Sequence, residues 1–583
     1  MNLIKRLMMT GVVFAPALMA AAAPLFAAPS LLSPAAAAAA VSQSPALSAA
    51  DLTLGASVQY HFQVDTVQTM DSQGGSPQGD FDQTSAQVFA SSGAFSGQDS
   101  TITVTGDAYN SLSTATFAFY SSSARLSANT LYYWRARAKP SGGAYGAWSG
   151  TASFTTGEFA APAPVNNIFI GNVSISSPTD SSAVITFNIR ENNVSTGTSP
   201  GGGEYNTADW IFVKFSTQAG ADGSWNHAAL TGGSVGAGAA FTAASDNMGV
   251  FLNHTAAQSL WSSTVTLTWN YAAGGATAAN SAMVKVFAVS MVRVPSGSFV
   301  YNAGGIGGSL YNNYGGGAQA TVASANDIPT GAPAGWPNGY NSFYIGRYEI
   351  TQGQYADFLN TVWSSTAAVL YYSGVANGHN MTNSGTYPNK YAAVDRNAAK
   401  NYLSVSDAWS YMSWAGLRPI TEMEFEKAGR DINGDTRTYP WGNTAPDILT
   451  YTPPNEGGTC ISKYLNYNNT AGCTKVLDVG RYMSGDMYRT AAETGASPWG
   501  IPDLAGNVWE FILNSSYASV PANGTGTVYW PGGWPVPGAT NAGLRGGGWS
   551  YIASYVRVSD RYFTSWANTS RSSSFGARCA RTP

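Results

Sequence analysis

Short segments in which apolar and polar side chains alternate recur through the first half of the chain. Residues 58–64 and 131–138 follow this pattern, and turns rich in Gly and Ser separate one such segment from the next. Because successive side chains of a strand point to opposite faces of a sheet, the pattern predicts half-buried β-strands. Only 10% of the residues are charged, which disfavours the helical bundles and coiled coils that need many Lys and Glu residues.

Two β modules are predicted before the C-terminal region. The first covers residues 51–157, and its segments 131–138 and 154–156 resemble the last strands of a fibronectin type III module. The second covers residues 165–290, where segments such as 210–215 continue the same style. The expected fold of both modules is an all-β sandwich of the immunoglobulin or fibronectin kind.

The N-terminus has the order of features that is typical of a secretory signal peptide. A basic pair, Lys5 and Arg6, precedes an apolar run and then a series of small residues. We therefore predict a signal peptide at residues 1–28, an Ala/Ser-rich linker at 29–50, and a chain exported to the cell surface, the periplasm or the extracellular space. An uncleaved N-terminal anchor is the alternative. No later apolar run has membrane-crossing length, so we expect no membrane span in the mature chain.

Net charge and the rare residue types limit the function classes. The net charge is −4 and no long basic run occurs, so nucleic acid is not the expected ligand. Three cysteines cannot build a disulfide-rich scaffold, and four histidines leave little material for histidine-based catalysis or metal binding. Cys460 and Cys473 are close in sequence. After export they would form a local disulfide, or they would remain two free thiols.

Helix-start signals appear only in the C-terminal region, residues 291–583. Thr351 and Gln354 have the spacing of a capping box, and Thr421 and Glu424 repeat it. The sequence therefore predicts a few short helices among long irregular loops. The glutamates that follow Thr421 suit the first turn of a helix, where acidic groups favour the macrodipole, better than they suit acid-base catalysis.

Five segments of this region resemble, in order, the motifs of the formylglycine-generating enzyme (sulfatase-modifying factor) family. They are the segments Ser-Phe-Tyr-Ile-Gly-Arg-Tyr-Glu-Ile-Thr at 342–351, Leu-Arg-Pro-Ile-Thr-Glu at 417–422, Tyr-Pro-Trp-Gly-Asn at 439–443, Asp-Leu-Ala-Gly-Asn-Val-Trp-Glu at 503–510 and Leu-Arg-Gly-Gly-Gly-Trp at 544–549. The resemblance implies an α+β fold of the C-type-lectin kind for residues 291–583. It also implies that most motif residues pack loops together.

The resemblance does not extend to the chemistry of the family's enzymes. Those enzymes use two cysteines as copper ligands and as partners of the substrate cysteine, and the matching positions here are about Tyr551 and Val556. Related oxygenases of the ergothioneine pathway bind iron through three histidines, whereas only His379 lies in this region. We therefore expect no catalytic residue and no catalytic cofactor. An oxidase or oxygenase that uses other ligands is the alternative.

A structural calcium ion is a further implication of the resemblance. In the family, the segment that matches Gly506, Val508 and Glu510 supplies backbone oxygens and a carboxylate to Ca²⁺. The family's other calcium loop is only partly matched, at residues 466–467. The expected calcium ligands are therefore Gly506, Val508 and Glu510.

Residues 550–574 are rich in Ser, Tyr, Asn and Thr, the mixture that antibody paratopes use for contact. Their frame, Arg-Gly-Gly-x-Trp before and Gly-x-Arg-Cys-Ala after, resembles the variable region of proteins that retroelements diversify by randomising the adenines of Asn codons. Only Trp566 lies outside the residue set that such codons produce. A drifted family terminus is the alternative. The predicted ligand-binding residues are Ser550, Tyr551, Ser554, Tyr555, Arg557, Asp560, Tyr562, Phe563, Asn568 and Ser570.

Together these features predict an exported, surface-displayed binding protein that has no enzymatic activity. Two β modules would present the C-terminal region to a protein or glycan ligand on another cell, a phage or a host surface. A structural protein of the cell envelope, with a degenerate family domain, is a further alternative.

Overall fold

The fold is that of a computed structural model. It describes residues 28–156 apart from 35, 42–45, 52–57, 73–76, 78, 83–87, 90–99, 106–112, 120–129 and 141–142, and residues 168–583 apart from 177–178, 219, 274–282, 303–318, 444–464, 468–473, 482–494, 530–533, 537–538 and 566–568. Strand accounts for 38% of the structure, and the described residues contain four helices. The prediction of a mainly β, multidomain chain is therefore confirmed.

Some predictions fall on residues outside these ranges. The predicted signal peptide does so except for Ala28, and so do Cys460, Cys473 and Asn568. The export signal and the disulfide therefore stay predictions. In the part of the chain that the structure describes, no helix is long and apolar enough to cross a membrane.

The N-terminal region forms two sheets, with strand orders β1-β3-β8-β7 and β2-β10-β9-β4-β5-β6. Their bounds are β1 Ser30–Ser33, β2 Ala38–Val41, β3 Ala46–Asp51, β4 Val58–Asp65, β5 Gly79–Asp82, β6 Val88–Phe89, β7 Ser100–Thr105, β8 Ser113–Phe119, β9 Leu131–Pro140 and β10 Ala152–Thr156. Alternation along β9 matches the prediction, because Tyr132, Trp134 and Ala136 are buried and the residues between them are partly exposed.

Strands β1 to β3 lie where the Ala/Ser-rich composition predicts a linker. Leu47 and Ala49 of β3 are fully buried in the core that the two sheets share. The structure differs from the prediction because alternate small and apolar side chains can fill one face of a strand even in a stretch without strong β propensity. Composition alone does not show that β3 pairs with β1 and β8.

The second region also forms two facing layers. Its strands are β11 Ile168–Ser176, β12 Ala183–Val194, β13 Thr196–Thr198, β14 Glu204–Ser216, β15 Trp225–His227, β16 Ala229–Val235, β17 Ala239–Ala243, β18 Val250–His254, β19 Gln258–Asn270 and β20 Met283–Val294. One layer is the sheet β11-β12-β19-β16, and the other is built around β14 and β18. A core that includes Ile185, Ile211, Leu252 and Leu267 fills the space between them.

The second layer continues into the C-terminal region as one twelve-stranded sheet. Nine strands follow the order β17-β18-β14-β20-β23-β30-β26-β27-β28, β13 and β15 also pair with β14, and β29 also pairs with β27. The remaining elements are β21 Phe299–Tyr301, β22 Ala320–Val322, β23 Phe343–Gly346, α1 Gln352–Leu359, α2 Ser364–Leu370, β24 Met381–Thr382, β25 Ala392–Ala393, α3 Val405–Trp414, β26 Arg418–Thr421, α4 Glu422–Gly429, β27 Trp509–Leu513, β28 Ala542–Arg545, β29 Phe575–Gly576 and β30 Cys579–Arg581.

Residue 290, the predicted domain boundary, lies inside strand β20. This strand pairs with β14 on one side and with β23 on the other. Trp210 of β14 donates a hydrogen bond from Nε1 to the carbonyl of Ala415, 2.8 Å away, and Lys214 donates to the carbonyl of Trp414 at 2.7 Å. The two regions therefore share both a sheet and a core.

The predicted helix starts are confirmed. At α1 the Thr351 side chain accepts from the Gln354 amide, and the Gln354 side chain accepts from the Thr351 amide. The same reciprocal pair joins Thr421 and Glu424 at α4. These bonds satisfy amide groups that a helix N-terminus leaves open.

Candidate functional site

Two glutamates of helix α4 form buried ion pairs with arginines near the C-terminus. Glu422 Oε1 lies 2.8 Å from Arg561 Nη2, and Glu426 Oε2 lies 2.9 Å from Arg545 Nη2. All four side chains are at most 2% exposed. We call these two pairs the ion-pair layer. Burial alone would raise the pKa of Glu422, but the charges of Arg561 and Arg545 and the hydrogen bonds from Ser515 together lower it.

The sequence predicted glutamates in the first turn of a helix, and Glu422 and Glu424 lie in the first turn of α4. The sequence did not show that Glu422, Glu424 and Glu426 are all buried. Glu424 pairs with Arg418 at 2.6 Å. Buried carboxylates need such partners because an uncompensated charge in a protein interior is costly.

Gly546 and Gly547 precede residues 550–574, which we call the C-terminal segment. They let this segment pass close to the core. Gly546 and Gly547 have φ values of +91° and +72°, a region that other residues rarely adopt. A Cβ atom on Gly547 would lie 2.7 Å from Val556 Cγ1. The two glycines are therefore required for the turn that brings the segment over the core.

Four aromatic rings of the segment cluster on its outer side. The ring centroids of Tyr551 and Tyr555 are 5.6 Å apart, those of Tyr555 and Tyr562 are 5.5 Å apart, and those of Tyr562 and Phe563 are 4.7 Å apart. All three pairs are edge-to-face, the arrangement that aromatic quadrupoles favour. We call Tyr551, Tyr555, Tyr562 and Phe563 the aromatic platform.

Trp509 supports the aromatic platform from below. Its side chain is fully buried, and its ring centroid lies 5.2 Å from that of Tyr551, 5.9 Å from that of Tyr555 and 5.1 Å from that of Phe563. Tyr562 is 54% exposed, and the other three platform side chains are partly exposed. The platform is thus held in place by the core and open to solvent on its far side.

The structure places most of the predicted ligand-binding residues at the surface. Ser550, Tyr551, Ser554, Tyr555, Arg557 and Phe563 are partly exposed, and Tyr562 and Ser570 are exposed. Sequence reasoning missed Ile552, which is 55% exposed beside the platform. The signal for it was present, because Ile belongs to the residue set that randomised Asn codons produce.

Asp560, also predicted as a ligand-binding residue, is buried. It is only 5% exposed, its backbone carbonyl accepts from Arg545 Nη1, and its carboxylate accepts from the Tyr562 amide at 3.3 Å. Burial raises the pKa of Asp560 to about 6. We assign this residue to the scaffold because its side chain is buried and its hydrogen bonds are made inside the fold.

The residues expected to bind calcium are engaged with other groups. Glu510 Oε1 accepts from Arg578 Nε at 2.8 Å, and both side chains are almost fully buried. The Gly506 amide donates to the Gly546 carbonyl at 2.8 Å and the Val508 amide donates to Glu349 at 3.1 Å, but these bonds use the amide groups and not the carbonyl oxygens that would bind calcium. Glu510 Oε2 has no hydrogen-bond partner among the described residues, but the guanidinium already neutralises the carboxylate. Glu510 therefore fits a dication poorly, because Ca²⁺ would have to share this carboxylate with the Arg578 guanidinium.

The positions that carry the family's oxidative chemistry hold other groups. Val556 is fully buried, and Tyr551 is part of the platform. His379 is buried with Nδ1 2.6 Å from the Gly374 carbonyl, and burial lowers its pKa to about 3. Cys579 is a buried free thiol whose pKa burial raises.

These features define the class: a mainly β chain whose C-terminal region carries ordered sulfatase-modifying-factor motifs. Residues 276–583 match the family described as sulfatase-modifying factor enzyme 1-like domain. The match covers more than half of the chain, so the protein belongs to this family, as the five motifs indicated. The family match begins at residue 276 and therefore includes strand β20, which pairs with β23.

Two kinds of curated relative are similar to the chain. A hercynine oxygenase of Mycobacterium tuberculosis is 28% identical over 263 residues, which cover 41% of this chain and 52% of that protein. A formylglycine-generating enzyme of Thermomonospora curvata is 29% identical over 199 residues, which cover 30% of this chain and 59% of that protein. The chain thus spans little more than half the length of these relatives.

Among solved structures, an α-L-rhamnosidase of Dictyoglumus thermophilum aligns with 52% of this chain and 29% of its own chain. The TM-score is 0.16 and the sequence identity is 11%. A similarity this low carries no argument about fold or function.

Proposed function

We propose that the C-terminal region is a ligand-binding domain without enzymatic activity, and that the aromatic platform is the centre of its contact face. The observation that carries the proposal is the platform itself: four clustered aromatic rings, three of them packed on the buried Trp509, that are partly or largely open to solvent. Large apolar rings that stay exposed cost solvation free energy, and clusters of them mark interaction sites on many proteins.

The residues around the platform are those that adaptable contact surfaces use. Tyr and Phe bring large contact area at low entropic cost, and serines such as Ser550 and Ser554 add hydrogen bonds that adjust to the partner. Arg557 offers a charge-assisted bond at the edge. The ligand that fits this chemistry is a protein or a glycan.

Several finer features belong to the same proposal. Export rests on the basic pair and apolar run near the N-terminus, and the C-type-lectin and immunoglobulin- or fibronectin-like classes rest on the motifs and strand patterns quoted above. Diversification by a retroelement rests on the composition of residues 550–574. An adenine-rich near-copy of these codons beside a reverse transcriptase gene would support diversification, and its absence from the flanking DNA would contradict it.

Binding can be tested with the labelled full chain on a glycan array and on intact bacterial cells. We expect binding to at least one array component or cell surface, and loss of most of that signal in the double variant Tyr555→Ala/Tyr562→Ala. Truncation of an aromatic anchor typically costs about 2 kcal/mol or more. The matched control is Tyr529→Ala, because Tyr529 is a 79% exposed tyrosine outside the segment. Equal binding by the double variant would contradict the platform as the contact face.

The enzyme alternative predicts a different result. The full chain, loaded with copper or with iron, would convert a cysteine-containing sulfatase peptide or hercynine, and mass spectrometry would detect the product. We expect no conversion, since Tyr551 and Val556 offer no soft metal ligand. The cell-envelope alternative predicts neither conversion nor specific binding.

A further inference from the structure

A second cluster of polar side chains lies outside the family match, between the two layers of the second region. Glu191 of β12 comes from one layer, and Asp209 of β14 and His254 of β18 come from the other. His254 Nε2 lies 3.0 Å from Glu191 Oε2 and 3.3 Å from Asp209 Oδ2. The three side chains are at most 2% exposed, and their ligand atoms all lie within 4.8 Å of one another.

The hydrogen bonds within this cluster leave Asp209 unsatisfied. An imidazole has one hydrogen at Nε2, and His254 Nε2 is engaged with Glu191. Among the described residues, no donor forms a hydrogen bond with either carboxylate oxygen of Asp209, although its side chain is fully buried. A buried carboxylate without a donor is costly, so Asp209 must either hold a proton or share a cation with its two neighbours.

Glu191 Oε1, the carboxylate oxygen that does not contact His254, has two partners of its own. Ser290 Oγ donates to Glu191 Oε1 at 2.5 Å, and Arg347 Nη1 lies 3.7 Å from the same oxygen. Glu191 therefore turns Oε2 toward His254 and keeps Oε1 for these partners. Outer contacts of this kind orient ligating carboxylates in metal sites.

We propose that Glu191, Asp209 and His254 bind one divalent transition-metal cation of the Zn²⁺ class. One imidazole nitrogen and two carboxylate oxygens are a ligand set that suits Zn²⁺. Metal–ligand bonds of about 2.0–2.2 Å place two ligands of a tetrahedral site about 3.3–3.6 Å apart. The observed separations of 3.0 and 3.3 Å are close to that edge length. Two carboxylates also balance the charge of a dication, which favours burial of the complete site.

The position of this site indicates a structural role. The cation joins β12 of one layer to β14 and β18 of the other, and through Ser290 and Arg347 it adjoins the C-terminal region. No ligand atom is open to solvent, so the metal enters as the chain folds. Binding then contributes to the stability of the folded state.

The test uses the full chain, refolded from denaturant with a chelator or with Zn²⁺ and then desalted. We expect one equivalent of zinc per chain by elemental analysis, and a melting temperature that rises with the logarithm of the zinc concentration. The variant Asp209→Asn should bind at least tenfold more weakly. The control Glu204→Gln removes an exposed carboxylate of the same strand, and it should behave like the wild type.

Either of two results would overturn the proposal: wild-type chain with less than about a tenth of an equivalent of zinc, or undiminished zinc affinity in Asp209→Asn. If the variant does not fold, Co²⁺ added during refolding of the wild type decides the matter. Visible d–d absorption that Zn²⁺ abolishes would support the site, and its absence would exclude it.

Discussion

Arg561 of the ion-pair layer and the whole aromatic platform lie in the same short stretch, residues 551–564. The two groups of side chains differ in burial and in partners. Arg561 is buried against Glu422 of α4, whereas its neighbour Tyr562 is 54% exposed. Val556 is fully buried, whereas its neighbour Tyr555 is partly exposed and contacts other rings. One short segment thus contains both buried side chains that contact the core and exposed side chains that form the platform.

This difference predicts that platform side chains can be changed without loss of the fold. Scaffold residues gain stability from groups far away in sequence, such as α4 and β27, and their replacement leaves cavities or unpaired charges. Platform residues gain it mostly from one another and from Trp509. Variation at platform positions therefore costs little if the scaffold is retained.

The largest expected effect is that of Trp509→Ala. The side chain is fully buried beneath the platform and contacts three of its four rings. The free energy of unfolding should fall by about 3–5 kcal/mol in chemical denaturation, since the change leaves a large cavity. Trp509→Phe is the control and should cost clearly less. A loss below about 1 kcal/mol would mean that Trp509 does not join platform and core.

Arg561→Met should have the next largest effect. The change leaves Glu422 buried without its main partner, which destabilises by about 3 kcal/mol; the Ser515 amide, 2.6 Å from Glu422 Oε1, still donates and limits the loss. The exposed pair Arg396–Asp357 provides a control, because Arg396→Met should cost less than about 1 kcal/mol.

A double variant separates the charge effect from the packing effect. Arg561→Met/Glu422→Gln removes both charges and should recover part of the stability that Arg561→Met loses. If the two single changes were simply additive, the ion-pair layer would not act as a coupled unit.

Local sequence signals predicted the local structure of this region well. The capping boxes at Thr351 and Thr421, and the buried motif residue Trp509, follow from spacing and from the family motifs. The partners of Glu422 and Glu426 could not be predicted in the same way. They come from residues more than 100 positions away, and only the fold brings them together.

Long-range pairing also explains why the sequence did not show that residue 290 lies inside a strand shared by two regions. Strand patterns on both sides of this residue are evident, but nothing in them indicates that β14 and β23 pair with the same strand. The cluster of Glu191, Asp209 and His254 has the same cause, because its members come from three strands of two sheets.

Asp560 predicts an effect of pH on stability. Burial raises its pKa from the ordinary 3.8 to about 6, so between these pH values the folded chain holds a proton that the unfolded chain has lost. The contribution of Asp560 to the free energy of unfolding should therefore fall as the pH rises from about 4 to 6, by up to about 3 kcal/mol. Melts of Asp560→Asn over this range should show a flatter pH dependence, and an unchanged profile would contradict a scaffold role for this carboxyl group.

The smallest expected effect on stability belongs to the platform itself. Tyr555→Ala and Tyr562→Ala remove rings that are partly or largely exposed. Tyr562→Ala should lower the free energy of unfolding by roughly 0.5 kcal/mol. Tyr555→Ala should lower it somewhat more, because Tyr555 also contacts Trp509. Thermal melts of the double variant beside Trp509→Ala measure the contrast directly. A drop of tens of degrees in the double variant would show that these rings are part of the core, and the assignment of a contact face would fail. A drop of a few degrees, together with lost binding, would assign the two neighbouring sets of side chains to different tasks.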